Sequence, residues 1–105
     1  MIRGEIYRLP SPPRARGHEQ RGERFAVVLQ ADELAHLSTA VVAPTSTGSR
    51  PASFRPLVEI GGVATRVMVE QLRAVDPSRL GRRSGRLSWD EMASVDRALR
   101  LMLAL

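Results

Sequence analysis

The sequence predicts a mainly β fold: a small barrel or rolled sheet carrying one C-terminal α-helix. Three observations point there. Five short segments with strand character follow one another, separated by turn signals and without crossover helices. The apolar period turns helical only after Leu87. The length, 105 residues, fits one domain spanning 1–105, and 43% hydrophobic with 26% charged residues is an ordinary globular balance.

The elements are read in order. Ile2 to Leu9 forms a first strand, and the prolines at 10, 12 and 13 end it because proline lacks the ladder N–H. Residues 10 to 23 then make one long polar loop, of the kind that is usually functional in a compact domain. Phe25 to Gln30 is a second strand with the continuous apolar character of burial on both faces. Asp32 to Leu37 reads as one helical turn capped by Asp32. Thr39 to Pro44 is a third strand, rich in β-branched residues, and 45 to 51 is a polar loop. Phe54 to Ile60 and Thr65 to Val75 are two more strands joined through Gly61-Gly62, with Pro56 putting the former at an edge or delaying its start. Ser88 and Glu91 fit a capping box. Asp90 complements the helix dipole, and Met92, Val95, Leu99 and Met102 repeat at helical spacing.

Composition narrows the chemistry. There is no cysteine, hence no disulfide framework or thiolate metal site, and His18 with His36 does not make a zinc site. No apolar run approaches the ~20 residues that span a bilayer, and no signal-peptide pattern opens the chain. A cytoplasmic protein without metal or cofactor is expected. The net charge is +5, and all sixteen Lys+Arg positions are arginine. Guanidinium is always charged and presents a planar fork matched to phosphate, so nucleic acid is a fair partner.

The most informative run is Arg16-Gly-His-Glu-Gln-Arg-Gly-Glu-Arg-Phe-Ala-Val-Val-Leu-Gln30. It joins a loop rich in glycine and charge to an apolar strand, and Arg24 stands at the junction. With Arg3-Gly-Glu-Ile-Tyr7, Val41-Val-Ala-Pro-Thr-Ser-Thr47 and Val69-Glu-Gln-Leu-Arg-Ala-Val-Asp-Pro77, this order and spacing resembles the MazF/PemK family of bacterial toxin endoribonucleases over nearly the whole chain. The resemblance implies an SH3-like barrel of the CcdB/PemK type and a homodimer. It further implies metal-independent cleavage of single-stranded RNA, chiefly mRNA, and neutralisation by a cognate acidic antitoxin.

The resemblance also implies residue roles. Arg24 aligns with the family's catalytic arginine, although Phe25 stands where the family usually has proline. Ser46 takes the place of a catalytic threonine, with Thr45 and Thr47 beside it as RNA contacts. Glu70 corresponds to an acid implicated in cleavage, on a strand face with Met68 and Leu72; Gln71 and Arg73 follow as RNA-binding residues. The arginine of the PemK branch two positions before this acid is Met68 here. Arg14, Arg16, His18, Glu19, Gln20 and Arg21 of the long loop complete the expected RNA contacts, the arginines on phosphate and the others on base edges.

Each residue has a plainer reading. Arg24 would pair with Glu23 or Glu5, Ser46 would serve turn chemistry, Glu70 would bridge Arg66 or Arg73, and His18 would be solvated. The alternative function is a non-catalytic toxin on the same fold that poisons DNA gyrase, as CcdB does. A nucleic-acid-binding barrel without chemistry would need exposed stacking aromatics. Most of Tyr7, Phe25, Phe54 and Trp89 are expected to be buried.

Overall fold

The computed structural model describes residues 1–10 and 24–105. Its elements are β1 Glu5–Arg8, β2 Phe25–Val28, β3 Ala40–Ser46, β4 Leu57–Ile60, β5 Val63–Val67, β6 Arg73–Val75, β7 Arg83–Arg86 and α1 Trp89–Leu103. The strands form one sheet in the order β4-β5-β3-β2-β1-β7, and β6 also pairs with β3. Every pairing is antiparallel. β3 is the longest strand and lies on β2 along one edge. Its other edge takes β6 at Ala40–Val42 and β5 at Thr45 and Ser46.

Side-chain alternation along β2 and β3 divides the core in two. Val27, Leu29 and Ala43 join Ile6, Val58, Ile60, Val67, Val69, Leu87 and the helix residues Val95 and Ala98 in the larger cluster. Ala26, Val28, Ala40 and Val42 face the other way, against Tyr7, Leu9, Val75 and Leu80. This two-sided burial is the physical content of the unbroken apolar run in β2.

The helix starts as its sequence demands. The Ser88 hydroxyl accepts the Glu91 N–H at 3.1 Å, and Glu91 Oε1 accepts the Ser88 N–H at 2.9 Å. Glu91 Oε2 also accepts the Glu59 N–H at 2.7 Å, tying the first turn to β4. Burial alone would raise the Glu91 pKa, but the Ser88 and Glu59 N–H groups outweigh it and hold the carboxyl below the ordinary carboxylate range.

Some elements differ from the sequence reading. The segment 65 to 75 is two strands broken by a 3-10 turn at Val69–Gln71: the Met68 N–H still reaches Pro44 O at 2.8 Å in the β3–β5 register, but Pro44 has no N–H to return the bond. β7 and its pairing with β1 went unread. The short 3-10 turn Asp32–Leu34 is preceded by Ala31 at its cap, and Asp32 Oδ1 instead accepts the Arg3 N–H at 2.7 Å. Pro56 does both things expected of it, since β4 starts just after it and lies at the sheet edge. Among the described residues, no helix is long and apolar enough to cross a membrane.

Candidate functional site

Arg24 and Ser46 are set by one strand pairing. Ala26 lies opposite Pro44, Val27 opposite Ala43 and Val28 opposite Val42. The Thr45 hydroxyl extends this register: it accepts the Phe25 N–H at 3.3 Å and donates to Phe25 O at 3.2 Å. One more step puts Arg24 opposite Ser46, both on the sheet face of Ala26, Val28 and Val42, away from α1. The Arg24 backbone is held from the other side as well, because its carbonyl accepts the Leu9 N–H at 2.8 Å.

The Arg24 guanidinium is half-buried, and its Nε has no hydrogen-bond partner among the described residues. A buried donor left unpaired is costly, and a charged one is a ready partner for an anion. Ser46 is 6% exposed and pairs across β5 with Arg66. Arg73 lies opposite Val42, on the same face, and is exposed. Ser46 therefore stands between two arginine-bearing strands, with a third guanidinium along β6.

Glu70 sits in the 3-10 turn rather than on a strand, which corrects the expected face shared with Met68 and Leu72. Its partner is Arg55, not Arg66 or Arg73: Arg55 Nε and Nη2 both reach Glu70 Oε2 at 2.7 Å. The other oxygen, Oε1, is buried without a hydrogen-bond partner among the described residues. Arg55 is itself fixed by the Arg50 carbonyl at 3.1 Å and by the Phe54 ring, 5.3 Å from its guanidinium carbon. Arg66 Nη1 donates to the Arg55 carbonyl at 3.0 Å, linking this group to the strand beside Ser46.

The other expected contacts divide. Thr47 and Gln71 are exposed next to Ser46 and Glu70. Thr45 is 2% exposed with its hydroxyl occupied by Phe25, so its part is to lock the β2–β3 register rather than to meet a ligand. Arg14, Arg16, His18, Glu19, Gln20 and Arg21 lie outside the described residues. Glu23 lies there too. No group of three or more His, Cys, Asp or Glu suited to a metal occurs among the described residues.

A polar network on β1 escaped the sequence reading. Glu5 is 8% exposed; its carboxylate accepts the Ile2 N–H at 2.6 Å and the Tyr7 hydroxyl at 3.1 Å, and it pairs with Arg83 Nε. The Ile2 N–H, assisted by Arg83 and Tyr7, keeps the Glu5 carboxyl below its usual range against the opposing effect of burial. Burial, then the neighbouring carboxylate, pushes the Tyr7 phenol up. Glu5 is thus committed to Arg83 and is not a partner of Arg24. The signal available in sequence was the alternation of Glu5 and Tyr7, which puts both on one strand face.

Comparison with known proteins agrees with this geometry. Residues 2–103 match the family described as PemK-like, MazF-like toxin of type II toxin-antitoxin system. The chain is 41% identical over 106 residues to Rv3098A of Mycobacterium tuberculosis H37Rv, a protein provisionally named a toxin, covering 100% of this chain and 99% of the relative. It is 34% identical over 116 residues to Endoribonuclease MazF9 of the same organism, covering 100% and 98%. A mycobacterial endoribonuclease solved in complex with its cognate antitoxin has the same fold, with a TM-score of 0.82 at 17% identity over 100% of this chain and 96% of that one. The chain belongs to the PemK-like, MazF-like toxins of type II toxin–antitoxin systems.

Proposed function

We propose that this toxin is a metal-independent, sequence-selective endoribonuclease that cuts single-stranded RNA, chiefly mRNA, and so stops translation. The observation that carries this reading is the half-buried Arg24, whose Nε lacks a partner among the described residues, directly across the strand pair from Ser46. A fixed guanidinium beside a hydroxyl suits a phosphate that gains negative charge in the transition state. Full-length similarity to an enzyme named endoribonuclease supports the activity over the gyrase-poison alternative.

The chemistry needs three services. A base takes the proton of the ribose 2′-hydroxyl, whose oxygen attacks phosphorus. The phosphorus–O5′ bond breaks, and the leaving oxygen gains a proton. The products are a 2′,3′-cyclic phosphate and a 5′-hydroxyl. Glu70 suits the base, since Arg55 holds one oxygen and the other has no partner among the described residues. Arg24 stabilises the phosphorane charge, and Ser46 orients the phosphate or the 2′-hydroxyl. His18 is the candidate donor to O5′, since imidazole is the side chain suited to proton transfer at physiological pH. Arg14, Arg16, Glu19, Gln20, Arg21, Thr47, Gln71 and Arg73 supply the surrounding RNA contacts.

The expected partners are a second copy of the chain and an acidic antitoxin. The antitoxin complex of a chain with the same fold supports the latter, as does the +5 charge. A disordered acidic segment would mimic RNA's charge and cover the same face. The deciding experiment incubates the purified protein with a long RNA in excess EDTA, maps the cuts and identifies the product ends. Cyclic phosphate termini at a recurring sequence are expected. Loss of activity in EDTA, or equal cutting of DNA, overturns the mechanism.

A further inference from the structure

We propose that the edge strand β7 together with Trp89 forms a second RNA-binding surface, which follows the strand flanking the scissile phosphate; this rests on the endoribonuclease reading. Three observations support it.

The first is charge. From Pro77 to Ser88 the chain carries Arg79, Arg82, Arg83 and Arg86 and no acidic residue, and all four arginines are exposed. A basic strip of this kind tracks a phosphate backbone.

The second is the aromatic end of the strip. Trp89 is 89% exposed, which corrects the expectation of a buried ring. It opens α1 and lines a cleft of about 400 Å³ with Arg86, Arg3 and Met92. Two carboxylates also line this cleft, Asp32 and Asp96, but both are bonded to Arg3, at its N–H (2.7 Å) and Nη2 (2.8 Å). Asp90, next to Trp89, is exposed, as is Asp32. A solvated indole beside guanidinium groups is a stacking platform for an unpaired base.

The third is continuity with the catalytic face. Leu9 N–H bonds Arg24 O, Arg8 N–H bonds Arg82 O and Gly81 N–H bonds Arg8 O, so β7 begins two strands from Arg24. At about 4.8 Å per strand that is roughly 10 Å. Arg83 lies opposite Tyr7 and Arg86 opposite Glu5, with a register shift between Ile6 and Tyr7. In a regular strand, residues three apart point to opposite faces. The bulge instead sets both arginines against β1 residues of one face, the face shared with Arg24.

That bulge also argues against the other candidate occupant, an acidic peptide strand added to the sheet edge. Gly85, at φ +140°, and the register shift break the straight row of backbone groups that strand addition requires. Recognition here falls to side chains.

Trp89 is the only tryptophan, so its fluorescence reports this surface alone. The test titrates the intact protein with two fully 2′-O-methylated RNAs, which lack the attacking hydroxyl. One covers only the cut site and the other extends past it. Anisotropy of a labelled copy of each measures binding independently. The long RNA is expected to quench and shift Trp89 emission, and the short one to bind without moving it. Arg82→Ala with Arg86→Ala should lower the long RNA's salt slope by about 1.4, at roughly 0.7 per phosphate contact, and leave the short RNA's affinity unchanged. Trp89→Ala should weaken the long RNA roughly tenfold, with Trp89→Phe restoring most of it. The proposal is overturned if the long RNA binds without moving Trp89, or if the arginine variants weaken both RNAs equally. It is also overturned if only an acidic peptide such as poly-glutamate moves the emission. Any of these with RNA cleavage intact leaves the nuclease standing; absence of RNA binding and cutting altogether removes both readings.

Discussion

Arg55 grips a single oxygen of Glu70, with Nε and Nη2 each 2.7 Å from Oε2, while Oε1 lies buried without a hydrogen-bond partner among the described residues. The pairing orients the carboxylate and leaves one oxygen to accept a proton. Glu70→Gln preserves shape but cannot act as a base. It should lose cleavage while keeping RNA affinity and Tm close to wild type, as read by single-turnover kinetics and anisotropy. Arg55→Ala should lower both, since it frees the carboxylate and removes a half-buried charge pair worth about 1–3 kcal/mol. Full activity of a folded Glu70→Gln protein assigns the base elsewhere.

Arg24→Ala should leave Tm nearly unchanged, because the Arg24 Nε makes no hydrogen bond to the described residues that folding would lose. The cleavage rate should fall by ~10²–10³, the usual effect of removing one transition-state donor. Arg24→Lys should recover little, since an ammonium does not reproduce the guanidinium fork. A drop in Tm matching the drop in rate would instead make Arg24 a structural residue.

The Glu5 network predicts an acid-labile fold. The Ile2 N–H, Arg83 and Tyr7 lower the Glu5 pKa in the folded protein. A group with a depressed folded pKa adds stability above its unfolded pKa and loses it as pH falls towards the folded one. Tm should therefore fall as pH drops below about 4.5, the ordinary value for this carboxyl. Glu5→Gln should make that limb shallower and cost about 2 kcal/mol at neutral pH. Thermal melts of both proteins across the acid range give the comparison. Parallel curves would assign the acid limb to the other depressed carboxyls, Asp76 and Glu91.

Glu91 closes the capping box and also holds the Glu59 N–H of β4. Glu91→Ala should cost about 1 kcal/mol for the cap and a further ~1 kcal/mol for the lost bond to β4. Ser88→Ala should cost only the first. Urea denaturation separates them, and equal losses would mean the Glu59 bond contributes nothing.

Features that depend on nearby residues were legible in the sequence. The capping box is read from Ser88 and Glu91, three positions apart, and the two-sided burial of β2 from its unbroken apolar run. Features set by distant partners were not. Arg83-Ser-Gly-Arg86 has no apolar alternation and becomes a strand only by pairing with β1. The break after β5 falls where Met68 meets Pro44, which has no N–H to return its bond, and Glu70 finds Arg55 fifteen residues back rather than a neighbour on its own strand. Trp89 is the exception among four aromatics of which most were expected to be buried. The helix buries Val95 and Ala98, and its first residue is left in solvent. The site's order was legible through Arg24 and Ser46, but their opposition across β2 and β3 follows from the register alone.

The strand pair that carries Arg24 and Ser46 is also the most enclosed part of the sheet: Val27, Val42 and Ala43 are 0% exposed and Val28 1%. Backbone amides in such a pair exchange with solvent only in the rarest, largest openings of a protein. Deuterium uptake should thus be slowest at Val27, Val28 and Val42, and faster in the exposed strip of β7. The same backbone holds Arg24 opposite Ser46. Substitutions confined to exposed segments such as β7 would leave the spacing of Arg24 and Ser46 untouched.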